Sequence, residues 1–521
     1  METGLIVHEE GYRRRWMVPR NIRKIYPWKI AQFLTLIQQI AASSSWRGNQ
    51  SLQNNFCRAL EDAGLKRPGE QYDPHSGGPR TYLAQLECLG LTFERETQIY
   101  FTQAGQDILD GAPPLPILQK QLLKHQYPSA YGSSNVRINP EIRVKPFLFI
   151  LELLNHPDVS WLSREEMVIP LVYGHRPTCI DLCIEKILAI RAGARLEEVV
   201  DDEDDLYTPR RQIFPDGLLD DANTFKNYLQ SCCLVYEENL HGQKVVRFDE
   251  DAHALYLEYR LQRDNFIEYE DDESFQRRYG ARTLRGDTRQ LIEQPRPQLS
   301  PATSMILSQF YALCGENIIS ELPQNFMDIL CRGYGFSRQQ IQDAVGPHLA
   351  TALNYFEATY LELSRSGLAS DGTKFERATE AIFRDRLQFT TDHTGQRRRP
   401  VGRGGYADIF LVAIDQRNCA IVDTKAAPKY ALPHTDILKM VNTYIPNYRE
   451  LCAGRDLTLE FAAYVAGGFS GQIENGLQEI SRQAMTPCSA ITARRLLNMA
   501  NGGSGGQAPA RALFSTSGLL A

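Results

Sequence analysis

Residues 405–426 read Gly-Tyr-Ala-Asp-Ile-Phe-Leu-Val-Ala-Ile-Asp-Gln-Arg-Asn-Cys-Ala-Ile-Val-Asp-Thr-Lys-Ala, and no other stretch limits the fold as tightly. Ile409–Ile414 and Cys419–Val422 are apolar runs rich in β-formers, and Asp415, Gln416, Arg417 and Asn418 between them are turn formers. A hairpin closed at that turn sets Asp408 nearly opposite Asp423 on the neighbouring strand. Side chains alternate along a strand, so Asp423 and Lys425 share a face. Two carboxylates and an ammonium then converge, and burying such groups unpaired is costly. A divalent cation would satisfy them: hard oxygen donors suit Mg²⁺, and a lysine beside it orients and activates a water. The pattern implies a metal-dependent phosphodiesterase. A plain salt bridge at a strand end is the other reading of Asp-x-Lys. Against it, no other lysine in the chain has Asp or Glu two residues before it, and this one closes a hairpin with a second aspartate in register.

At 521 residues the chain is long for one core, so several domains are expected. No run approaches the roughly 20 apolar residues of a membrane span, and the first ten residues lack the basic and apolar regions of a signal peptide. The 11 cysteines are irregularly spaced and do not form the paired clusters of a zinc site, so they read as reduced, mostly buried thiols in a cytoplasmic protein. The net charge of −6, taken alone, argues against nucleic-acid binding. The excess acid, however, lies within residues 201–300, where 13 Lys and Arg face 22 Asp and Glu, a balance of −9. Runs such as Glu197–Asp205 and Glu268–Glu273 read as solvated loops or linkers. A basic cluster from Arg13 to Lys24, including Arg14 and Arg15, remains available to neutralise phosphates.

Helical periodicity marks Trp28–Ala42, Leu52–Gly64 and Pro79–Leu89, followed by a short hairpin over Leu91–Thr102. Three helices and a hairpin have the order of a winged helix. A second such unit is expected from helices at 145–154, 163–173, 178–192 and 224–232 and a hairpin over 233–248. Ser163-Arg-Glu-Glu166 has the spacing of a capping box. Winged helices are frequent DNA readers, placing a helix in the major groove. Arg80, at the start of the third helix, is the expected base-proximal contact, with Lys66, Arg67 and Arg13–Arg15 on phosphate. Pro295–Pro301 reads as an extended linker and the glycine-rich stretch after Asn501 as a flexible tail. The expected organisation is therefore multidomain α+β. Two winged-helix-like recognition modules span 1–125 and 126–268, a linker with connecting helices 269–345, an α/β nuclease domain with a central mixed sheet 346–500, and a tail 501–521.

The segment 353–500 resembles the cleavage domain of the FokI restriction endonucleases, a PD-(D/E)xK nuclease. The resemblance rests on Ile421-Val-Asp-Thr-Lys-Ala426, Tyr430-x-Leu-Pro433, Asp436-x-x-x-Met440-x-x-x-Tyr444, the helix Phe375–Phe383 upstream and Ala466-Gly-Gly-Phe-Ser-Gly471 downstream, in one order. The N-terminal half more weakly resembles the recognition half of type IIS enzymes of the AlwI group. Ala407 stands before Asp408 where the family often has proline. The resemblance implies that Asp408 and Asp423 are metal ligands with the Thr424 carbonyl, and that Lys425 positions the attacking water. Glu376 and Glu380, one helical turn apart, are candidates to reach the metal or its water. His434 is given no catalytic role, because the metal route needs no histidine base. It implies Mg²⁺ as cofactor, with Mn²⁺ able to substitute and Ca²⁺ binding without supporting cleavage. It also implies a bacterial cytoplasmic type IIS enzyme, with duplex DNA as partner and self-association through the nuclease domains. A strand-nicking enzyme and a DNA-binding regulator with a degenerate nuclease domain are the alternatives.

Overall fold

The computed structural model describes residues 12–20, 22–40, 45–46, 48–66, 77–129, 137–200, 216–268, 270–283, 296–397, 405–501 and 506–520. Arg67, the acidic residues 201–205 and the glycine-rich residues 502–505 lie outside them. The chain divides into two units, residues 1–315 with 321–355 and residues 316–320 with 356–521. Among the described residues no helix is long and apolar enough to cross a membrane.

In the first unit the expected order is present: helices Pro27–Ile40, Gln50–Asp62 and Gly77–Cys88, the hairpin Thr92–Arg95 with Gln98–Phe101, then helices Gln103–Leu109 and Pro114–Lys124. Pro27 stands at the first helical position, where its missing N–H costs nothing, and Ile30, Phe33, Leu34 and Ile37 form the buried face. The Asn49 and Thr102 side chains cap the helices that follow them, accepting from Leu52 N and Gly105 N. Gly105 has to be glycine, since a Cβ there would lie 2.1 Å from the Leu91 carbonyl oxygen.

Further along the first unit, helices Pro146–Leu154, Ile180–Arg191 and Asp216–Ser231 accompany a sheet in which Gln243–Phe248 lies between Leu162–Ser163 and Val235–Leu240. The helix expected over 163–173 is shorter, Val168–Tyr173. The capping-box bonds do form, from Ser163 N to Glu166 Oε2 (2.7 Å) and from Glu166 N to Ser163 Oγ (3.2 Å). They close a turn instead of opening a helix, because Ser163 is paired in the sheet with Val245.

Two expectations about connections do not hold. Helix Asp272–Tyr279, expected in the linker, is built into the first unit. Its Tyr279 is 1% exposed and donates to the carbonyls of Cys88 (3.1 Å) and Gln121 (3.0 Å). The proline-rich stretch is held from 296 onward, with Gln38 Nε2 donating to the Pro297 carbonyl at 2.9 Å.

The second unit is built on a six-stranded mixed sheet. Its elements are α1 (Ala369–Asp385), β1 (Thr390–His393), β2 (Ile409–Val412), β3 (Asn418–Lys425), α2 (His434–Lys439), α3 (Ile445–Leu451), β4 (Thr458–Ala466), α4 (Ile473–Ala484), β5 (Cys488–Thr492), α5 (Ala493–Asn501), α6 (Gln507–Phe514) and β6 (Gly518–Leu519). The spatial order is β6-β5-β4-β3-β2-β1. β1, β2 and β3 pair antiparallel, and β3 to β6 are mutually parallel. β3 and β4 are buried over most of their length, as expected of central strands covered on both faces. A π-helical turn, Met440–Tyr444, joins α2 to α3. The tail expected from 501 is ordered structure over 507–520. Phe514 is fully buried and stacks on Phe461 at 5.2 Å, and the chain end supplies β6.

Candidate active site

The turn between β2 and β3 is fastened by Asp415, whose Oδ1 accepts from the backbone N–H groups of Arg417 (2.9 Å) and Asn418 (3.1 Å). It fixes the register Ile421 to Phe410 and Val422 to Ile409, and Asp423 and Asp408 are the residues that follow this last pair, close enough for the Asp408 charge to act on Asp423. Asp408 stands just before β2. Its main-chain oxygen accepts from Thr394 N (2.7 Å) and Gly395 N (3.0 Å). Its Oδ2 accepts from Thr424 N (2.7 Å) and Thr424 Oγ1 (2.9 Å). Gly395 presses so close that a Cβ there would lie 2.6 Å from Asp408 Oδ1. Ala407 is buried at 2%, and its carbonyl accepts from Thr394 Oγ1 at 2.6 Å, so the loop is pinned without the proline.

Asp423 is 2% exposed, and its Oδ2 lies 2.8 Å from Lys425 Nζ. Asp436, in the first turn of α2, adds a carboxylate 3.6 Å from the same ammonium. Burial, reinforced by the Asp408 charge, pushes the Asp423 carboxyl up to about 7. Burial and the Glu376 charge raise Asp408 as well, against the two bonds from Thr424. Burial disfavours the Lys425 ammonium, but the charge and hydrogen bond of Asp423, with Asp436 and Asp408 behind, outweigh it and raise the lysine overall. Negative charge is therefore in excess at this point of the fold.

That excess, carried by oxygen donors, suits a hard divalent cation. In an extended strand the N–H and C=O of one residue look to the same neighbour. Thr424 N–H faces Asp408, so its carbonyl is turned to the same side, where it could join the two carboxylates in holding such a cation. Among the described residues no three His, Cys, Asp or Glu side chains gather as a metal cage. Water and a substrate phosphate would have to complete such a shell, as is usual for Mg²⁺.

The helix carboxylates differ. Glu376 adds its charge to Asp408 and lies 2.9 Å from His393 Nε2. Glu380 accepts from Thr391 Oγ1 at 2.9 Å and lies 3.8 Å from Arg384. Two residues along β1 match four along α1, so each carboxylate meets its own partner. His434 is exposed at the start of α2. Sequence reasoning assigned no role to His393, Tyr430 or Asp436. For the last two a signal existed, since both lie in the motif that follows the lysine.

Of the DNA-contact candidates in the first unit, Arg80 is exposed. Arg13 and Arg14 are partly exposed. Arg15 is a correction: it is 9% exposed and ion-paired to the buried Asp221 at 3.4 Å, so it is not a surface cation. Lys66 is engaged locally, 2.9 Å from Glu61 Oε1 and 3.0 Å from Cys57 Sγ.

Residues 335–517, a little over a third of the chain, match the family model of the FokI cleavage domain. The match marks this region as FokI-like, and with it the chain is a site-specific DNA nuclease. No curated protein matches. Among solved structures the chain is similar to restriction endonuclease FokI, at 12% identity over 99% of this chain and 100% of that one, with a TM-score of 0.27. FokI bound to DNA matches at 14% identity over 93% of this chain and 88% of that one, with a TM-score of 0.29. The BpuJ1 endonuclease binding domain, in complex with modified DNA, matches at 16% identity over 52% of this chain and 98% of that one, with a TM-score of 0.36. Scores this low carry no argument, and the domain match stands without them.

Proposed function

We propose that the chain is a type IIS restriction endonuclease. The first unit binds an asymmetric duplex site, and the second hydrolyses phosphodiester bonds at a fixed distance outside it, with Mg²⁺ as cofactor. The observation that carries this reading is the meeting of Asp408 and Asp423 at the end of the β2–β3 ladder, with Lys425 on Asp423, inside the region that matches a cleavage domain.

Asp408, Asp423 and the Thr424 carbonyl are the residues that would hold the cation. When bound, it would supply a Lewis acid for the phosphoryl oxygen and lower the pKa of a water. Lys425 orients that water and stabilises charge developing on the phosphate. Glu376, fixed by His393, lends further negative charge to the Asp408 side. Mn²⁺ is expected to substitute, and Ca²⁺ to bind without supporting cleavage.

Three helices and a hairpin over 27–101, and a longer run of helices closed by the hairpin of 235–248, support an assignment as winged-helix recognition modules spanning 1–125 and 126–268. Arg80 remains the best-placed candidate for base contact, with Arg13 and Arg14 for phosphate. The second unit offers one Asp408/Asp423/Lys425 set, and the strands of a duplex run antiparallel. A double-strand break then needs two copies, related by an approximate twofold axis.

A supercoiled plasmid incubated with Mg²⁺, and run-off sequencing of its products, tests the reading. Linear product with ends at one fixed offset from a common sequence supports it. Open circles alone would indicate a nicking enzyme. Specific binding with no cleavage under Mg²⁺ or Mn²⁺ would indicate a DNA-binding regulator.

A further inference from the structure

Asp423 has two claimants. Its carboxylate holds the Lys425 ammonium at 2.8 Å, and the proposed function requires the same buried carboxylate to hold a divalent cation. A cation there repels the ammonium and draws electron density from the carboxylate that anchors it. With Asp423 as its only anion, Lys425 would either compete with the cation or swing away from the reacting phosphate.

The fold supplies a second anchor. Asp436 Oδ2 lies 3.6 Å from Lys425 Nζ, and that oxygen also accepts a hydrogen bond from the Tyr430 hydroxyl. Asp436 is fixed from behind as well, because its main-chain oxygen accepts from Tyr464 Oη at 3.2 Å. Tyr430 is held at both ends of its own residue: its N–H donates to the Gly468 carbonyl (2.9 Å), and its carbonyl accepts from Ser470 N (3.1 Å). Its ring packs 6.0 Å from that of Tyr464 and lies 5.7 Å from the Lys425 ammonium. The Gly467-Gly468 pair makes this approach possible. A Cβ on Gly468 would lie 2.3 Å from the Pro428 carbonyl oxygen, and one on Gly467 2.9 Å from that of Ala427. Sequence, backbone path and side-chain bonds thus converge on one oxygen beside the lysine.

We propose that Asp436, held by Tyr430, is a positioning residue that retains the Lys425 ammonium when a divalent cation engages Asp423. This rests on the nuclease reading. Asp436 touches neither the cation nor the phosphate in this role, and acts through the lysine.

Calorimetric titration of Ca²⁺ into the full-length chain, without DNA, tests it with no catalytic readout. The variants are D436N, K425M and the double variant. With Lys425 present, D436N leaves the ammonium on Asp423 in competition with the cation, and Ca²⁺ affinity should fall about fivefold, within the coupling range of residues in contact. In the K425M background the same substitution should cost no more than about a third as much. Equal losses in both backgrounds, or no loss in either, overturn the proposal. Failure of the wild type to bind Ca²⁺ both alone and with duplex DNA present overturns the nuclease reading, and the proposal with it. In Mg²⁺, D436N should lower kcat about 10- to 100-fold with KM for DNA unchanged, as for a misplaced catalytic group. Tyr430→Phe, which removes one hydroxyl and keeps the ring, should show a smaller loss of the same kind. A rise in KM with kcat unchanged would count against a role through Lys425.

Discussion

Asp423→Asn should inactivate the enzyme and, in the absence of metal, make it more stable at alkaline pH. The Asp423 carboxyl titrates near 3.8 when unperturbed and is pushed up to about 7 by burial and by Asp408. Between those values the folded chain keeps a proton that the unfolded chain has released. Stability contributed by the protonated group is therefore complete below about pH 4 and lost as the pH rises through about 7. Roughly three pKa units at ~1.4 kcal/mol each set a ceiling of about 4 kcal/mol. Mutual adjustment with Asp408 reduces this, and on the order of 1–3 kcal/mol is expected. Asparagine keeps the shape and never ionises, so the variant lacks this pH-dependent loss. The sacrificed ion pair with Lys425 is already contained in the shift, since it exists only while Asp423 is ionised.

For a unit of about 170 residues, each kcal/mol moves the melting temperature by about 2–4 °C. Melting wild type and D423N in EDTA at pH 5 and pH 8 should show a gap in favour of the variant that widens by several degrees towards pH 8. Adding Ca²⁺ at pH 8 should reverse the order. Ligand at 100 times its Kd stabilises the wild type by about 2.7 kcal/mol, and the variant has lost a ligand. A gap that fails to grow between pH 5 and 8, or a variant that melts below wild type at pH 8 without metal, would refute the argument that this carboxylate is buried against its own charge.

Asp408→Ala and Lys425→Ala should abolish plasmid cleavage while leaving specific DNA affinity in Ca²⁺ within about twofold, since recognition is assigned to the other unit; a matching loss of affinity in a gel-shift assay would count against that division. Gly395→Ala drives a Cβ to within 2.6 Å of Asp408 Oδ1, and cleavage should fall about 100-fold through displacement of that ligand; near-normal turnover would show that the loop yields. Arg80→Ala should weaken specific binding by about 1–3 kcal/mol, whereas Arg15→Ala, which removes one of the two arginines paired with the buried Asp221 and leaves Arg20, should show mainly as a lowered melting temperature. Double-strand cleavage should rise faster than linearly with enzyme concentration, and excess D423A should divert linear product to nicked circles. First-order cutting by a monomer on a one-site plasmid would exclude the paired arrangement.

The hairpin was legible because its rules are local. A turn of Asp-Gln-Arg-Asn between two apolar runs fixes a register, and a side-chain period of two then decides which residues meet. Asp408, Asp423 and Lys425 follow from those two facts, and the structure brings them together. Arg15 was misread because a run of arginines looks solvated until its partner is known. That partner, Asp221, lies 206 residues away in sequence. The chain end was misread for a similar reason. Glycines at 502, 503, 505 and 506 signal flexibility, but Phe514 and the edge strand Gly518–Leu519 are ordered by surfaces that only the assembled sheet offers. The linker reading of 269–283 failed on Tyr279, whose hydroxyl partners, Cys88 and Gln121, are supplied by segments more than 150 residues earlier.

The place of Asp436 follows from topology. β3 runs antiparallel to β2 but parallel to β4, so a hairpin cannot connect β3 to β4, and the chain has to cross over through α2 and α3. In sheets of this kind ligands gather beyond the carboxyl ends of parallel strands, where such crossovers begin. Lys425 is the last residue of β3, and the crossover departs past it, so a side chain in the first turn of α2 returns to the lysine about ten residues later. The same geometry brings the end of β4, Ala466, beside Lys425, and the glycines that follow make room for residues 427 and 428 on their way out. A substitution that bulks up Gly468 should therefore affect cleavage through the Tyr430–Asp436 contact. Gly468→Ala should reproduce the D436N pattern in calcium titration, and it should do so only while Lys425 is present.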